Sequence, residues 1–191
     1  MKKSANKDTG PDLTPIDAEL DLELLPKAQE QEDEIGWEPT FTLQTRRDER
    51  QVALYLLYAL DRAEYSISLA DAIRAFENGF DLKIPKRSFV LTLVKGVIDN
   101  RDALDEQLKP CLKNWRLERL GCCTHLILQL ALWELQQKDA VSSIVINEAV
   151  ELAKTFAEKD AYRFVNGILD EIAKKMDGSM SSAVTADVKE Q

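Results

Sequence analysis

The sequence predicts an all-α fold, and two observations support that prediction. Apolar residues recur with the 3.6-residue period of an amphipathic helix over most of residues 46–176, whereas the alternation typical of strands is rare. The pattern is clearest in residues 144–170, where two amphipathic helices are joined by a short polar turn. Their apolar positions are Val145, Ala149, Leu152 and Phe156 in the first helix, and Tyr162, Val165, Leu169 and Ile172 in the second.

Six helices are expected in all. They cover residues 46–62, 69–80, 85–110, 117–138 and the pair within 144–176. Pro85 suits the first turn of helix three, because the first turn lacks intrahelical partners for its N–H groups, and Pro110 ends or kinks that helix. Helical periodicity also runs through Asn166-Gly167 without a break. We therefore expect Gly167 to lie at a close contact between two helices.

The acidity of the chain is concentrated at one end. The formal net charge is −9, and residues 1–44 hold four lysines and eleven acids, which leaves −2 for residues 45–191. The first 44 residues also carry four prolines, so they are predicted to form a mostly disordered acidic extension. The folded domain is expected at 45–176, followed by a flexible tail at 177–191. Because the body is nearly neutral, the net charge does not exclude a nucleic-acid partner.

Several classes of protein are disfavoured by the composition. The sequence contains no run of 18 apolar residues, so it predicts no membrane span. The N-terminus also lacks the apolar stretch of a secretory signal. Three cysteines, two of them adjacent, are typical of a reducing cytoplasm rather than of a disulfide framework. We therefore expect a cytoplasmic protein without a membrane anchor.

Enzymatic chemistry finds little support. His125 is the only histidine, and although Cys122 and Cys123 lie beside it, no CxxC spacing or fourth ligand accompanies them. A Gly-rich phosphate-binding loop is also absent. The sequence predicts no enzyme, no cofactor and no metal site.

The basic start of helix one is the strongest candidate binding site. Arg46, Arg47 and Arg50 lie within about one turn of one another, and guanidinium groups there suit RNA phosphates or unpaired bases. Cations at a helix N-terminus oppose the helix dipole, so their presence requires another reason. The alternative is simple solvation with pairing to Asp48 and Glu49.

Several motifs in the same order resemble the NusB family of bacterial transcription antitermination factors. They are TRRDERQVALYLLY at 45–58, LDEQLKPCLKNWRLERL at 104–120, LILQLALWEL at 126–135, INEAVELAKTF at 146–156 and RFVNGILD at 163–170. The resemblance covers roughly 45–176. It implies two small helical bundles packed together, and an RNA-binding protein that acts in transcription antitermination.

The resemblance also implies partners and site residues. The expected partners are single-stranded boxA RNA of nascent ribosomal RNA operon transcripts, the small-subunit ribosomal protein that acts as NusE, and an antitermination complex of RNA polymerase. By position, the RNA-binding candidates are Arg46, Arg47, Arg50, Asp160 and Phe164. The candidates for the surface that faces NusE are Tyr58 and Glu118.

The chain departs from the family pattern at several positions. Asp48 stands where a basic residue is common, Gln129 where arginine is common, and Thr124 and His125 replace an acid–base pair. Each lost cation weakens phosphate attraction, so the alternative is a NusB-type interaction module that has lost most of its RNA affinity. A NusB-like domain that precedes an RNA methyltransferase is a further rival. It is disfavoured because such an enzyme needs a cofactor-binding α/β domain downstream of residue 191.

Overall fold

The computed structural model describes residues 41–113 and 115–187, with side chains up to Met176. Within these residues the chain forms six α-helices. They are α1 (Arg46–Arg62), α2 (Leu69–Phe80), α3 (Phe89–Leu108), α4 (Cys122–Gln137), α5 (Ser142–Phe156) and α6 (Ala161–Asp187). Two short 3-10 turns, Lys109–Cys111 and Leu117–Arg119, connect α3 to α4. The all-α prediction is confirmed.

The first three helices begin where local side chains satisfy their free N–H groups. Thr45 forms a capping box with Asp48 at the start of α1, and Ser68 and Ser88 accept from Asp71 N and Leu91 N at the starts of α2 and α3. The predicted bounds of α1 and α2 are confirmed. Asp48, which departs from the family pattern, therefore has a structural role that a basic residue at this position would not supply.

The six helices form two bundles that share one core. α1 packs against α2 and α3, whereas α5 packs against α6. α4 joins the two groups, because it contacts α1 and α3 on one side and α5 and α6 on the other. Its side chains from Leu126 to Leu135 are all buried, charged Glu134 included. Burial on all sides explains why α4 is apolar around most of its circumference.

The folded part includes residues that the sequence assigned to the acidic extension. The ring of Phe41 packs edge-on against Tyr55 at 4.5 Å, Phe80 at 4.7 Å and Phe76 at 5.3 Å between centroids. Thr42 donates its hydroxyl to Asp48, beside the start of α1. The expected disorder of residues 1–40 lies outside the described residues.

The start of α3 differs from its prediction. Pro85 lies in the loop before α3 rather than in its first turn. Ser88 caps this helix, and the backbone N–H of Phe89 donates to Glu49 of α1 at 3.1 Å. The stronger N-cap residue and a carboxylate from a distant helix thus decide where α3 begins.

The start of α4 also differs, since this helix begins at Cys122 instead of near Leu117. Leu120 and Gly121 are extended, with ψ of 143° and 146°, and this breaks the helical run. A Cβ on Gly121 would lie 1.3 Å from a carboxylate oxygen of Glu158. The close approach of Glu158 explains why glycine stands at this position.

The prediction for Gly167 is wrong. A Cβ built on Gly167 meets no atom within 4 Å, and the residue is exposed on α6. The buried face of α6 is formed by Val165, Ile168, Leu169 and Ile172 instead. α6 also continues to Asp187, past the end expected near Met176, and no proline interrupts its backbone there.

Candidate nucleic-acid interface

Arg46 lies on the surface at the first turn of α1. Its side chain is 65% exposed, and it donates to Glu49 at 2.8 Å. Its guanidinium also stacks over the ring of Phe89, 4.4 Å from the centroid. The ring and the carboxylate hold the planar cation in one orientation, and its outer edge remains open to solvent.

Arg47 points away from Arg46 and reaches α5. It binds Glu148 with two hydrogen bonds, of 3.0 Å from Nε and 2.7 Å from Nη2. Arg47 is half exposed, while Glu148 is 14% exposed. The hydrogen bonds from Arg47 lower the pKa of the Glu148 carboxyl, since they stabilise its charged form.

Arg50 is placed differently from the two residues before it. It is buried, and its Nε donates to the equally buried Glu134 of α4 at 2.9 Å, with a second bond from Nη2. Its guanidinium lies 5.4 Å from the centre of the Phe89 ring. The charge of Arg50 therefore connects α1 to α4 inside the protein.

A pocket of about 350 Å³ lies between these groups. Arg46, Arg50 and Phe89 line one part of it, and Trp133 and Ile144 line another. A cation, an aromatic ring and a buried ion pair thus border one surface depression beside the N-terminus of α1.

Asp160 and Phe164 meet at a second depression, of about 310 Å³. Asp160 precedes α6 with a left-handed φ of 65°, and its carboxylate lies 3.8 Å from Arg163. Phe164 is partly buried, and its ring centroid lies 5.7 Å from that of Trp115. Sequence reasoning did not select Trp115, which lies in the segment between α3 and α4. A large aromatic residue outside every apolar helical stripe is the signal that identifies it.

The two candidates for partner binding flank the N-terminal end of α4. Tyr58 is partly buried in α1, and burial, together with the nearby thiols of Cys122 and Cys123, raises the pKa of its hydroxyl. Glu118 is exposed in the 3-10 turn that precedes α4.

The cysteines and the histidine of α4 have structural partners. Burial is the main cause that raises the pKa of the Cys123 thiol to about 11, and that of Cys122 further, while Cys122 donates to Asp61 at 3.1 Å. His125 and Gln129 both contact one oxygen of Asp105, at 2.6 Å and 2.7 Å. No group of three or more His, Cys, Asp or Glu side chains that could hold a metal ion occurs in the described part of the chain.

Comparison with known proteins agrees with this architecture. The profile of the NusB family matches residues 47–174. The transcription antitermination protein NusB of Macrococcus caseolyticus is 39% identical over 131 residues, which cover 68% of this chain and 97% of that protein. Two packed bundles of helices with arginines and aromatic rings at the surface are typical of an all-α binding protein. The chain belongs to the NusB family.

Solved structures show the same fold. Thermotoga maritima NusB matches with a TM-score of 0.55 and 26% identity, over 70% of this chain and 93% of that one. A crystal structure of the antitermination factors NusB and NusE in complex with double-stranded RNA matches with a TM-score of 0.60 and 24% identity, over 70% of this chain and 99% of that one.

The family also bears on the predicted class of protein. The relatives that match this chain are transcription antitermination proteins. Among the described helices none is long and apolar enough to cross a membrane.

Proposed function

We propose that this protein is a transcription antitermination factor that binds the single-stranded boxA sequence of nascent ribosomal RNA operon transcripts. It binds there together with the ribosomal protein that acts as NusE, within an antitermination complex of RNA polymerase in the cytoplasm. Membership of the NusB family carries this proposal, and the relative solved with NusE and RNA supports it.

The exposed arginines of α1 supply the chemistry. Arg46 and Arg47 present guanidinium groups at the surface, where they suit phosphate oxygens. In this proposal Arg50 is a positioning residue. Its ion pair with Glu134 and its contact with Phe89 hold the start of α1 in place. Asp160 and Phe164 are the proposed base contacts, and Tyr58 and Glu118 the proposed contacts with NusE.

The test is a titration of boxA-like RNA at several salt concentrations, with and without NusE. Replacing Arg46 and Arg47 together by alanine should weaken binding and flatten the dependence of affinity on salt, by a slope of about 0.7 per lost phosphate contact. Arg50 is left intact, because truncating one partner of a buried ion pair destabilises a protein by roughly 3–5 kcal/mol. A loss of RNA affinity could then not be separated from a loss of folded protein.

The matched control is Arg74→Ala. Arg74 in α2 is 72% exposed and pairs with an acid three residues before it, much as Arg46 pairs with an acid three residues after. If the control and the double variant lose the same affinity, the start of α1 is not the RNA surface.

One observation favours a second candidate function. Each of the three arginines at the start of α1 already pairs with a carboxylate, so phosphate must compete for them. A NusB-type interaction module that retains its protein partner but binds RNA weakly is therefore the alternative. The same titration separates the two: affinity for NusE without measurable affinity for boxA-like RNA supports the module.

A further inference from the structure

Trp115 is an exposed aromatic residue that the helical core does not require. Its side chain is 57% exposed, whereas Trp133 is 8% exposed and packs against Gly96. Single exposed apolar residues are common on protein surfaces, so exposure alone indicates little. The surroundings of Trp115 are more informative than its exposure.

Trp115 and Phe164 form two sides of one depression. Their ring centroids lie 5.7 Å apart and their planes are inclined by 57°, so the rings are not stacked on each other. The depression of about 310 Å³ beside them is floored by apolar atoms that include Leu120 and Ala161. A flat aromatic ligand fits such a site, because it can stack on a ring while its edges remain in water.

The cations that border this depression are not engaged. Arg119 and Lys159 line it, and within the described residues neither takes part in an ion pair. Arg46, Arg47 and Arg50 each do. A phosphate therefore meets free cations beside Trp115, whereas at the start of α1 it must displace a carboxylate. Glu158 and Asp160 line the same depression, so its charges are mixed. Such a site suits a ligand that carries both a phosphate and a planar ring with hydrogen-bond donors.

The edge of the depression carries hydrogen-bond acceptors. The Glu158 carboxylate accepts from the Thr124 hydroxyl at 2.6 Å and lies against Gly121, which leaves room for it. The hydroxyl orients this carboxylate through Oε2, while Oε1 lies against Gly121. Because Glu158 is an exposed residue, its carboxylate can also accept hydrogen bonds from a ligand. Among the four bases, guanine presents two adjacent donors, N1–H and the N2 amino group, on its Watson–Crick edge, whereas uracil presents one donor between two carbonyl oxygens. A fixed carboxylate therefore favours guanine.

We propose that Trp115 and Phe164 form a slot for one unpaired base of the bound RNA, with guanine preferred through Glu158. Arg119 and Lys159 hold the neighbouring phosphates. This inference rests on the proposed function, since it names a subsite of the same RNA. It adds a stacking residue, two phosphate contacts and a base preference that the family resemblance does not assign to these positions.

The experiment uses the full chain and short oligouridine strands that carry one central guanine, adenine or cytosine, or none. Trp115→Ala should weaken binding of the guanine strand by about tenfold or more, as expected for the loss of one stacked base. Trp115→Phe should restore most of the affinity, because it keeps a π-face. Val141→Ala is the matched control, because Val141 is also an exposed apolar residue, at 65%, and does not line the slot.

Glu158→Ala tests the base preference. The wild type should bind the guanine strand most tightly, and this variant should bind all four strands alike. Guanine binding that also quenches the fluorescence of Trp115, assigned by comparison with Trp115→Phe, would support stacking directly. Thermal melts followed by circular dichroism should be unchanged for Trp115→Ala. For Glu158→Ala they measure the cost of leaving the buried Thr124 hydroxyl without its acceptor, and RNA binding is compared below the melting temperature of that variant.

Three results would overturn the slot or its preference for guanine. If the Arg46 and Arg47 variant loses affinity while Trp115→Ala binds as the wild type does, the slot is wrong and the proposed function stands. If Trp115→Ala weakens all strands but the wild type shows no guanine preference, the assignment of guanine is wrong. If the wild type binds no RNA with or without NusE, the proposed function and the slot fail together.

Discussion

The arginines at the start of α1 differ in their surroundings although they are close in sequence. Arg46 stacks on Phe89, Arg47 pairs with Glu148 of α5, and Arg50 is buried with Glu134 of α4. Exposed ion pairs contribute at most about 1 kcal/mol, so phosphate can displace the partners of Arg46 and Arg47. The pair of Arg50 is in the interior, where an unpaired charge is far more costly.

The Arg47–Glu148 pair yields a prediction about RNA. Replacing Glu148 by glutamine removes one negative charge and frees the guanidinium of Arg47. RNA affinity should therefore increase several-fold at low salt, and less at high salt because screening weakens the difference. A titration of one RNA at two salt concentrations measures it. Unchanged affinity at low salt would show that Arg47 does not contact the RNA.

The melting temperature of the same variant should depend on pH in a way that tests the Arg47–Glu148 ion pair. The pKa of Glu148 is lowered from its ordinary value of 4.5, so the ionised carboxylate stabilises the fold at neutral pH. This contribution is present above the unfolded-state pKa and is lost as the pH falls through the lowered value in the folded protein. The difference in Tm between the wild type and Glu148→Gln should therefore shrink as the pH falls below about 4.

At the scale of single helices, packing decides what a glycine does. Gly96 in α3 and Gly167 in α6 both interrupt helices with a residue of low helix propensity. A Cβ on Gly96 would lie 2.0 Å from the ring of Trp133, whereas one on Gly167 meets open space. Only Gly96 therefore allows two helices to approach each other.

The two glycines make a matched pair of variants. Gly167→Ala should stabilise the protein by about 0.5–1 kcal/mol, because alanine favours the helix and meets no neighbour. Gly96→Ala should destabilise it by roughly 1–3 kcal/mol, because the Trp133 ring must move. Thermal or urea unfolding measures both. A loss of stability at Gly167 would show that this face of α6 is covered by another part of the chain.

The segment between α3 and α4 contains no long helix, but it positions residues of the proposed base slot. Pro110 lies in the 3-10 turn that follows α3, and extended residues at 120–121 precede α4. The segment thus presents Trp115 and Glu118 at the surface, while Leu112 remains buried. The proposed base slot depends on this interruption, since a continuous helix from Leu117 would not bring Gly121 against Glu158 in the same way.

At the scale of the whole molecule, an acidic N-terminal segment lies next in sequence to the arginines at the start of α1. Residues 1–40 carry a net charge of −7, and they are followed by Phe41, which packs in the aromatic cluster five residues before Arg46. The aromatic contacts of Phe41 anchor the chain close to the proposed RNA surface. An acidic segment tethered there competes with RNA at a high effective concentration.

Deleting residues 1–40 should therefore increase RNA affinity, with the largest gain at low salt. The truncation keeps Phe41 and the capping box at Thr45 and Asp48, so the melting temperature should not fall. The measurement compares full-length and truncated protein against one RNA at two salt concentrations. Equal affinities at low salt would indicate that the extension is only a solvated tail.

The sequence alone determines those features that local interactions control. The bounds of α1 and α2 follow from apolar periodicity together with the caps Thr45 and Ser68, which lie within three residues of the groups they bind. The class of fold and the resemblance to the NusB family follow for the same reason, since periodicity and ordered motifs are properties of the chain itself.

Only the tertiary structure decides which partner a side chain meets. Arg50 and Glu134 are 84 positions apart, and Arg47 and Glu148 are 101 positions apart, so no local pattern distinguishes the buried arginine from the exposed one. Periodicity places Gly167 on α6 but does not tell whether another helix covers that face. The exposure of Trp115 beside Phe164 likewise depends on how the segment before α4 packs against α6. Contacts between residues distant in sequence form only when the helices dock, and docking determines the shape and the free charges of the proposed site.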